Sequence, residues 1–171
     1  MADLELKVPL VGQKQGYDGK PLTRPDAHGV LAQHGFMACW YASAEMVSYF
    51  YRPGPRNGLP AVWEADQGLT LTAIDLLAAG EGLKRVRPSG PITRETIYGL
   101  LRDHGPIWAA GKFLDGYPNA GHAIVWTGVK GPFVLYNDPW EPAAKKRPVE
   151  WVTTRLFALP NAMLAKDPAR A

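Results

Sequence analysis

The chain has 171 residues and a single cysteine. It sits in Gln33-His34-Gly35-Phe36-Met37-Ala38-Cys39-Trp40-Tyr41-Ala42. Cys39 opens a helical pattern in which Trp40, Ser43, Ala44, Val47 and Phe50 recur at three- and four-residue steps. A thiol in the first turn of a helix meets the positive end of the macrodipole and unpaired backbone N–H groups, which favour the thiolate. Taken alone, a lone cysteine reads better as a small buried apolar residue. Catalysis by a thiol needs more: a base to take its proton, a group to orient that base, and donors for the oxyanion formed on the attacked carbonyl.

Each part has a candidate. His122, in Asn119-Ala120-Gly121-His122-Ala123, opens an apolar run and is flanked by small residues that leave its ring accessible. Asp138, in Tyr136-Asn137-Asp138-Pro139-Trp140, ends the next run. Two strands joined by a tight hairpin bring the start of one beside the end of the other, so these two residues can be neighbours. Gln33 stands six positions before Cys39, within reach of a joint oxyanion site with the Cys39 N–H. Singly, each has a plainer reading. A histidine at a strand mouth is usually a partly exposed polar residue, Asn-Asp-Pro is a turn initiator, and Gln33 alone says nothing. Their joint presence, in this order, favours chemistry.

The elements that must position them can be read from pattern. A helix is expected from Met37 to Tyr51, stopped by Arg52-Pro53-Gly54-Pro55. Before it, Leu6–Val11 suggests a short edge strand, since Pro9 is poorly tolerated in a central one, and residues 12–29 read as loop with a turn at Tyr17–Pro21. Residues 56–92 look helical and irregular, with one amphipathic stretch at Leu71–Ala78 that ends at Gly80 or Gly82. Thr93 caps a further helix, and His104-Gly105-Pro106 stops it. The period then changes. Strands are expected at Ile107–Phe113, Ala123–Val129, Phe133–Asn137 and Val149–Thr153, the middle two joined by Lys130-Gly131-Pro132. The tail after Pro160 reads as frayed. Helices first and an antiparallel sheet afterwards is an α+β layout: one domain over 1–171, mainly helical and loop over 1–105, sheet over 106–160, tail over 161–171.

Composition bounds the function classes. A 46% hydrophobic, 20% charged chain of this length suits one soluble domain with its own core. The net charge of +3 is small, and the longest basic run, Lys145-Lys146-Arg147, reads as a solvated loop, so nucleic-acid binding is not indicated. One cysteine and four scattered histidines give neither a disulfide framework nor a metal-ligand cluster, and no cofactor is implied. No apolar run spans a bilayer, and the amino terminus lacks a secretory signal. The expectation is a protein made in the cytoplasm.

Gln33 followed by Cys39-Trp40, then Gly121-His122-Ala123, then Asn137-Asp138-Pro139-Trp140 resembles the papain-like cysteine peptidases. The closer likeness is to their compact bacterial branch, which includes secreted effector proteases of plant pathogens and the leader peptidases of bacteriocin exporters. The resemblance implies a papain-like fold, Cys39 as nucleophile, His122 as base, Asp138 as orienter and Gln33 at the oxyanion. Trp40 and Trp140 support the site, Trp140 by packing near the histidine. Asn137 stays open as the alternative orienter, because an amide serves in papain. The half-cystine position of papain holds Phe36 here, and the Cys39–His122 gap of 83 residues is much shorter than in papain.

Three readings follow. The first is a protease or amidase that hydrolyses a peptide or amide bond through a thioester. The second keeps the triad but passes the acyl group to another acceptor, as a transglutaminase-like or deamidating enzyme does. The third is a non-catalytic binding module. The resemblance further implies an exported effector or toxin, acting on host protein or on peptidoglycan stem peptides. Its partners would be that substrate and a cognate immunity protein or chaperone.

Overall fold

The helix that opens at Cys39 runs to Tyr51 and buries every residue from Trp40 to Tyr49. A helix hidden on all sides needs cover on more than one face, and the rest of the fold supplies it. The computed structural model describes residues 2–13, 38–51, 69–140 and 142–170. In chain order they form β1 (Leu4–Glu5), α1 (Cys39–Tyr51), α2 (Ile74–Glu81), β2 (Leu83–Arg85), α3 (Arg94–His104), β3 (Ile107–Gly111), β4 (His122–Lys130), β5 (Phe133–Asp138), β6 (Ala143–Pro148), α4 (Val149–Arg155) and β7 (Met163–Lys166). The class is α+β, as the pattern of residues implies. Among the described residues the strands form one antiparallel sheet in the order β2-β7-β3-β4-β5-β6, with β1 pairing the far end of β4. No helix of the described residues is long and apolar enough to cross a membrane.

Helices cover both faces of this sheet, and strand alternation feeds both cores. Trp108, Ala110, Ala123, Val125 and Leu164 pack with α1 and α2. Ile107, Ala109, Ile124, Trp126 and Met163 pack on the other face with Ile97 and Leu101 of α3 and Val152 of α4. The caps behave as their residues dictate. Thr93 accepts the Thr96 N–H at 3.2 Å to start α3, and Gly82, at φ +66°, closes α2.

Several expectations hold closely: α1, α3, β3, β4 and β5 lie where the pattern puts them. Lys130 pairs Phe133 across a two-residue turn whose first residue, Gly131, has φ +53°. The helix start expected at Met37, the Pro/Gly stop after Tyr51 and the turn at Tyr17–Pro21 lie outside the described residues.

Others are corrected. Leu6–Val11 is not a strand; the paired residues are Leu4–Glu5, with Leu6 N–H donating to the Thr127 carbonyl at 2.8 Å. Val149–Thr153 is the body of α4. Its β-branched residues suggest a strand, but Val149, Val152 and Leu156 fall on one helical face over the core it shares with α3. The fourth strand of that run is instead Ala143–Pro148, so Lys145-Lys146-Arg147 belongs to an edge strand and not to a loop. Lysine on a sheet edge is a common guard against edge pairing. The tail is not frayed: Met163–Lys166 is fully buried and pairs with both β2 and β3.

Candidate active site

Cys39 is the first residue of α1. The Ala38 carbonyl takes the first intrahelical bond, from Ala42 N–H at 3.1 Å. Helix geometry leaves the N–H groups of the first turn, that of Cys39 among them, without an acceptor inside the helix. One turn on, the Ser43 hydroxyl donates to the Ala123 carbonyl at 3.1 Å, and Trp108 Nε1 donates to the Trp40 carbonyl at 3.1 Å. These two bonds fix the helix start against β3 and β4. Ala123 is the residue after His122.

His122 is 4% exposed, and its Nε2 meets Asp138 Oδ1 at 2.7 Å. With Nε2 so engaged, Nδ1 is the nitrogen left to face Cys39, which acts on the ring electrostatically and borders the same cavity. Asp138 is 1% exposed and has three partners among the described residues. Besides His122, its Oδ1 accepts the Trp140 N–H at 3.0 Å and its Oδ2 accepts Lys145 Nζ at 2.9 Å.

Electrostatics follow from these contacts. Burial disfavours an imidazolium, yet the hydrogen bonds to Asp138 and Cys39 and their charges outweigh it. The His122 pKa rises from 6.5 to about 9. Burial likewise disfavours the Asp138 carboxylate, but His122, Lys145 and the Trp140 N–H more than compensate, so its pKa falls below the usual 3.8.

The two candidate orienters are separated by the register. Val125 pairs Asn137 and Trp126 pairs Tyr136, but Gly128 pairs Leu135, so Thr127 is bulged out of β4. Counting straight back from the Gly131-Pro132 turn without the bulge would put Asn137 on the His122 side. The bulge moves the register by one and brings Asp138 there instead. The Asn137 amide turns to the amino-terminal segment and donates to the Val8 carbonyl at 3.2 Å.

A cavity of about 690 Å³ opens on the pair, with Cys39, His122, Trp40 and Trp140 in its wall. Trp108, Leu69, Ile74 and Phe157 make the rest mainly apolar. One side is formed by the segment between β3 and β4, residues 112–121, whose Tyr117 packs edge-on to Trp140 at 6.4 Å. Trp40 and Trp140 thus both border the same cavity as Cys39 and His122. Gln33 lies outside the described residues, as do His28 and His34. His104 ends α3, where its carbonyl accepts the Tyr51 hydroxyl.

Two residues escaped the sequence reading. Lys145 looked like part of a solvated basic run; only its place in a strand two residues from Ala143, the partner of Asp138, exposes its role. Gln13 is buried, and its N–H donates to the Pro139 carbonyl at 2.9 Å, beside the turn that carries Asp138 and Trp140. It stood in a loop-like stretch with no local signal.

Comparison with known families agrees with this geometry. The family model described as papain-like cysteine protease AvrRpt2 matches residues 25–156, more than three quarters of the chain. The matched span contains Gln33, Cys39, His122 and Asp138.

Proposed function

The chain belongs to the AvrRpt2 family of papain-like cysteine proteases, and on that footing we propose that it hydrolyses peptide bonds through a triad of Cys39, His122 and Asp138. The observation that carries the proposal is the ring of His122, held at Nε2 by the Asp138 carboxylate at 2.7 Å and bordering one cavity together with the Cys39 thiol. His122 takes the thiol proton, and Asp138 holds the imidazolium in orientation. The thiolate sulfur attacks the amide carbon, and the carbonyl electron pair moves to oxygen. The Cys39 N–H and the Gln33 amide hold that oxyanion. Collapse breaks the C–N bond, and His122 gives its proton to the leaving amine. Water then adds to the thioester with His122 as base, releasing a carboxylic acid and the free thiol.

The apolar cavity beside the thiol suits a bulky hydrophobic side chain near the scissile bond. Likeness to a family described by the name of AvrRpt2 supports an exported effector that cuts a protein of another cell. Incubation with a protein substrate and, separately, with purified sacculi divides that role from cleavage of peptidoglycan stems.

The decisive experiment is Cys39→Ala. Turnover should vanish while the circular dichroism spectrum and melting temperature stay at the wild-type values. Hydrolysis persisting near the wild-type rate would remove Cys39 from the mechanism.

A further inference from the structure

Asp138 does not meet His122 unaided. Its second oxygen is held by Lys145 Nζ at 2.9 Å, and the same ammonium lies 3.3 Å from Asp115 Oδ2. Asp115 Oδ1 in turn accepts Arg147 at 2.8 Å. Lys145 and Arg147 are alternate residues of β6, so both project to one side of the sheet. Lys145 pairs Tyr136 while Asp138 pairs Ala143, which sets Lys145 and Asp138 on a diagonal that a long side chain spans. Asp115 belongs to the segment 112–121, which supplies Leu114 and Tyr117 to the cavity wall.

We propose that Lys145 is a positioning residue for the hydrolysis, fixing the Asp138 carboxylate toward His122 and tying the cavity-wall segment to the same point through Asp115. The inference rests on the triad reading given above. A carboxylate 1% exposed cannot turn an oxygen to water for compensation. Without the ammonium, Oδ2 would be buried and unmatched, which favours either protonation or rotation. Both loosen the hold on His122. Lys145 is itself only partly exposed, with 28% of its side chain accessible. Its distance to Asp138 marks a built contact, unlike an ordinary surface ion pair. Among the described residues, the charged or titratable groups around this point are Asp138 and Tyr136 on β5, Asp115 on the wall segment and Arg147 on β6. Beyond Asp138 stand His122 and Cys39.

The test uses Lys145→Met, Lys145→Arg and Asp115→Asn in the full chain, with two readouts. The first is the rate of Cys39 alkylation by iodoacetamide against pH, which needs no substrate. The second is hydrolysis of a fluorogenic peptidyl-aminomethylcoumarin. In Lys145→Met the acid limb of alkylation should move up by about one pH unit, because the carboxylate protonates earlier, and kcat should fall about tenfold. Lys145→Arg should restore both. Asp115→Asn keeps the ammonium on Asp138, so its acid limb should match wild type while KM rises. The proposal fails if Lys145→Met has the wild-type limb, or if Asp115→Asn moves the limb as far as Lys145→Met does. A wild-type thiol that alkylates with no acid-side plateau would instead sink the triad reading itself, and this inference with it.

Discussion

Ser43 reaches across from the helix that begins at Cys39 to the carbonyl of Ala123, the residue next to His122, at 3.1 Å. Ser43 is fully buried, and its hydroxyl has one direct consequence: it sets the helix start, and hence the thiol, at a constant height along β4. Cys39 and His122 lie 83 residues apart in the chain, yet this hydrogen bond, from one turn past Cys39 to the residue after His122, ties the two segments together.

Ser43→Ala should therefore lower stability by about 1 kcal/mol, the usual worth of a buried neutral hydrogen bond. It should also lower kcat more than it raises KM, because the thiol is no longer held at the ring. Urea unfolding and steady-state kinetics on the same preparation check both. A variant with unchanged kcat would show that packing alone sets the Cys39–His122 geometry.

The pH dependence has a defined sign. His122 has a folded pKa of about 9 against 6.5 for an ordinary imidazole. The stability it contributes is complete below 6.5 and is lost as pH rises through 9. Asp138, depressed below 3.8, acts oppositely: its contribution is present above that value and is lost as pH falls through its folded pKa. The pair thus favours the fold most between these limits. Wild type should lose more unfolding free energy from pH 6.5 to 9.5 than His122→Gln does. The alkaline limb of kcat/KM should fall near pH 9 and move down in Asp138→Ala. Equal pH slopes for wild type and His122→Gln would contradict the assignment.

Gly111 pairs His122 directly, and a Cβ there would come within 2.4 Å of the Arg155 carbonyl. That carbonyl accepts the Lys112 N–H at 2.9 Å, so it has little room to move. Gly111→Ala should destabilise the fold by about 1–3 kcal/mol, the range for overpacking a core. Thermal unfolding checks this; an unaltered melting temperature would mean the 155–157 backbone shifts at no cost.

In the proposed mechanism Gln33 is the side-chain donor to the oxyanion, and a second glutamine serves as its control. Gln33 has the spacing to Cys39, while Gln13 is buried beside the Pro139 carbonyl at the turn that carries Asp138. Gln33→Ala should cost on the order of 100-fold or more in kcat, as loss of an oxyanion donor does elsewhere. Gln13→Ala should act mainly on stability. A reversal of the two effects would transfer the donor role to Gln13.

Leu114 borders the cavity from the 112–121 segment. Leu114→Asp should raise KM about tenfold for a substrate with a large apolar side chain, since a buried leucine contact is worth about 1.5–3 kcal/mol. The rate of Cys39 alkylation should stay at the wild-type value. An unchanged KM would place the substrate elsewhere.

What the residues determined by themselves is local. The three-to-four-residue period after Cys39, the Thr93 cap and the Gly131-Pro132 turn each act over a few positions, so α1, α3 and the β4–β5 hairpin were legible. The hairpin already brings His122 and Asp138 to one end. Tertiary contacts decided the rest. β6 and β7 are short segments that become strands only by pairing with β5, and with β2 and β3, and their own residues carry little period. Val149–Thr153 has β-branched residues but is helical, because the core it shares with α3 takes its 149–152–156 face. Which of Asn137 and Asp138 meets His122 turned on Thr127. A one-residue bulge reverses which side each residue faces, and it falls where the other edge of β4 passes from β3 to β1. Lys145 reached Asp138 for the same reason: register, which no stretch of sequence carries alone, selects the partner.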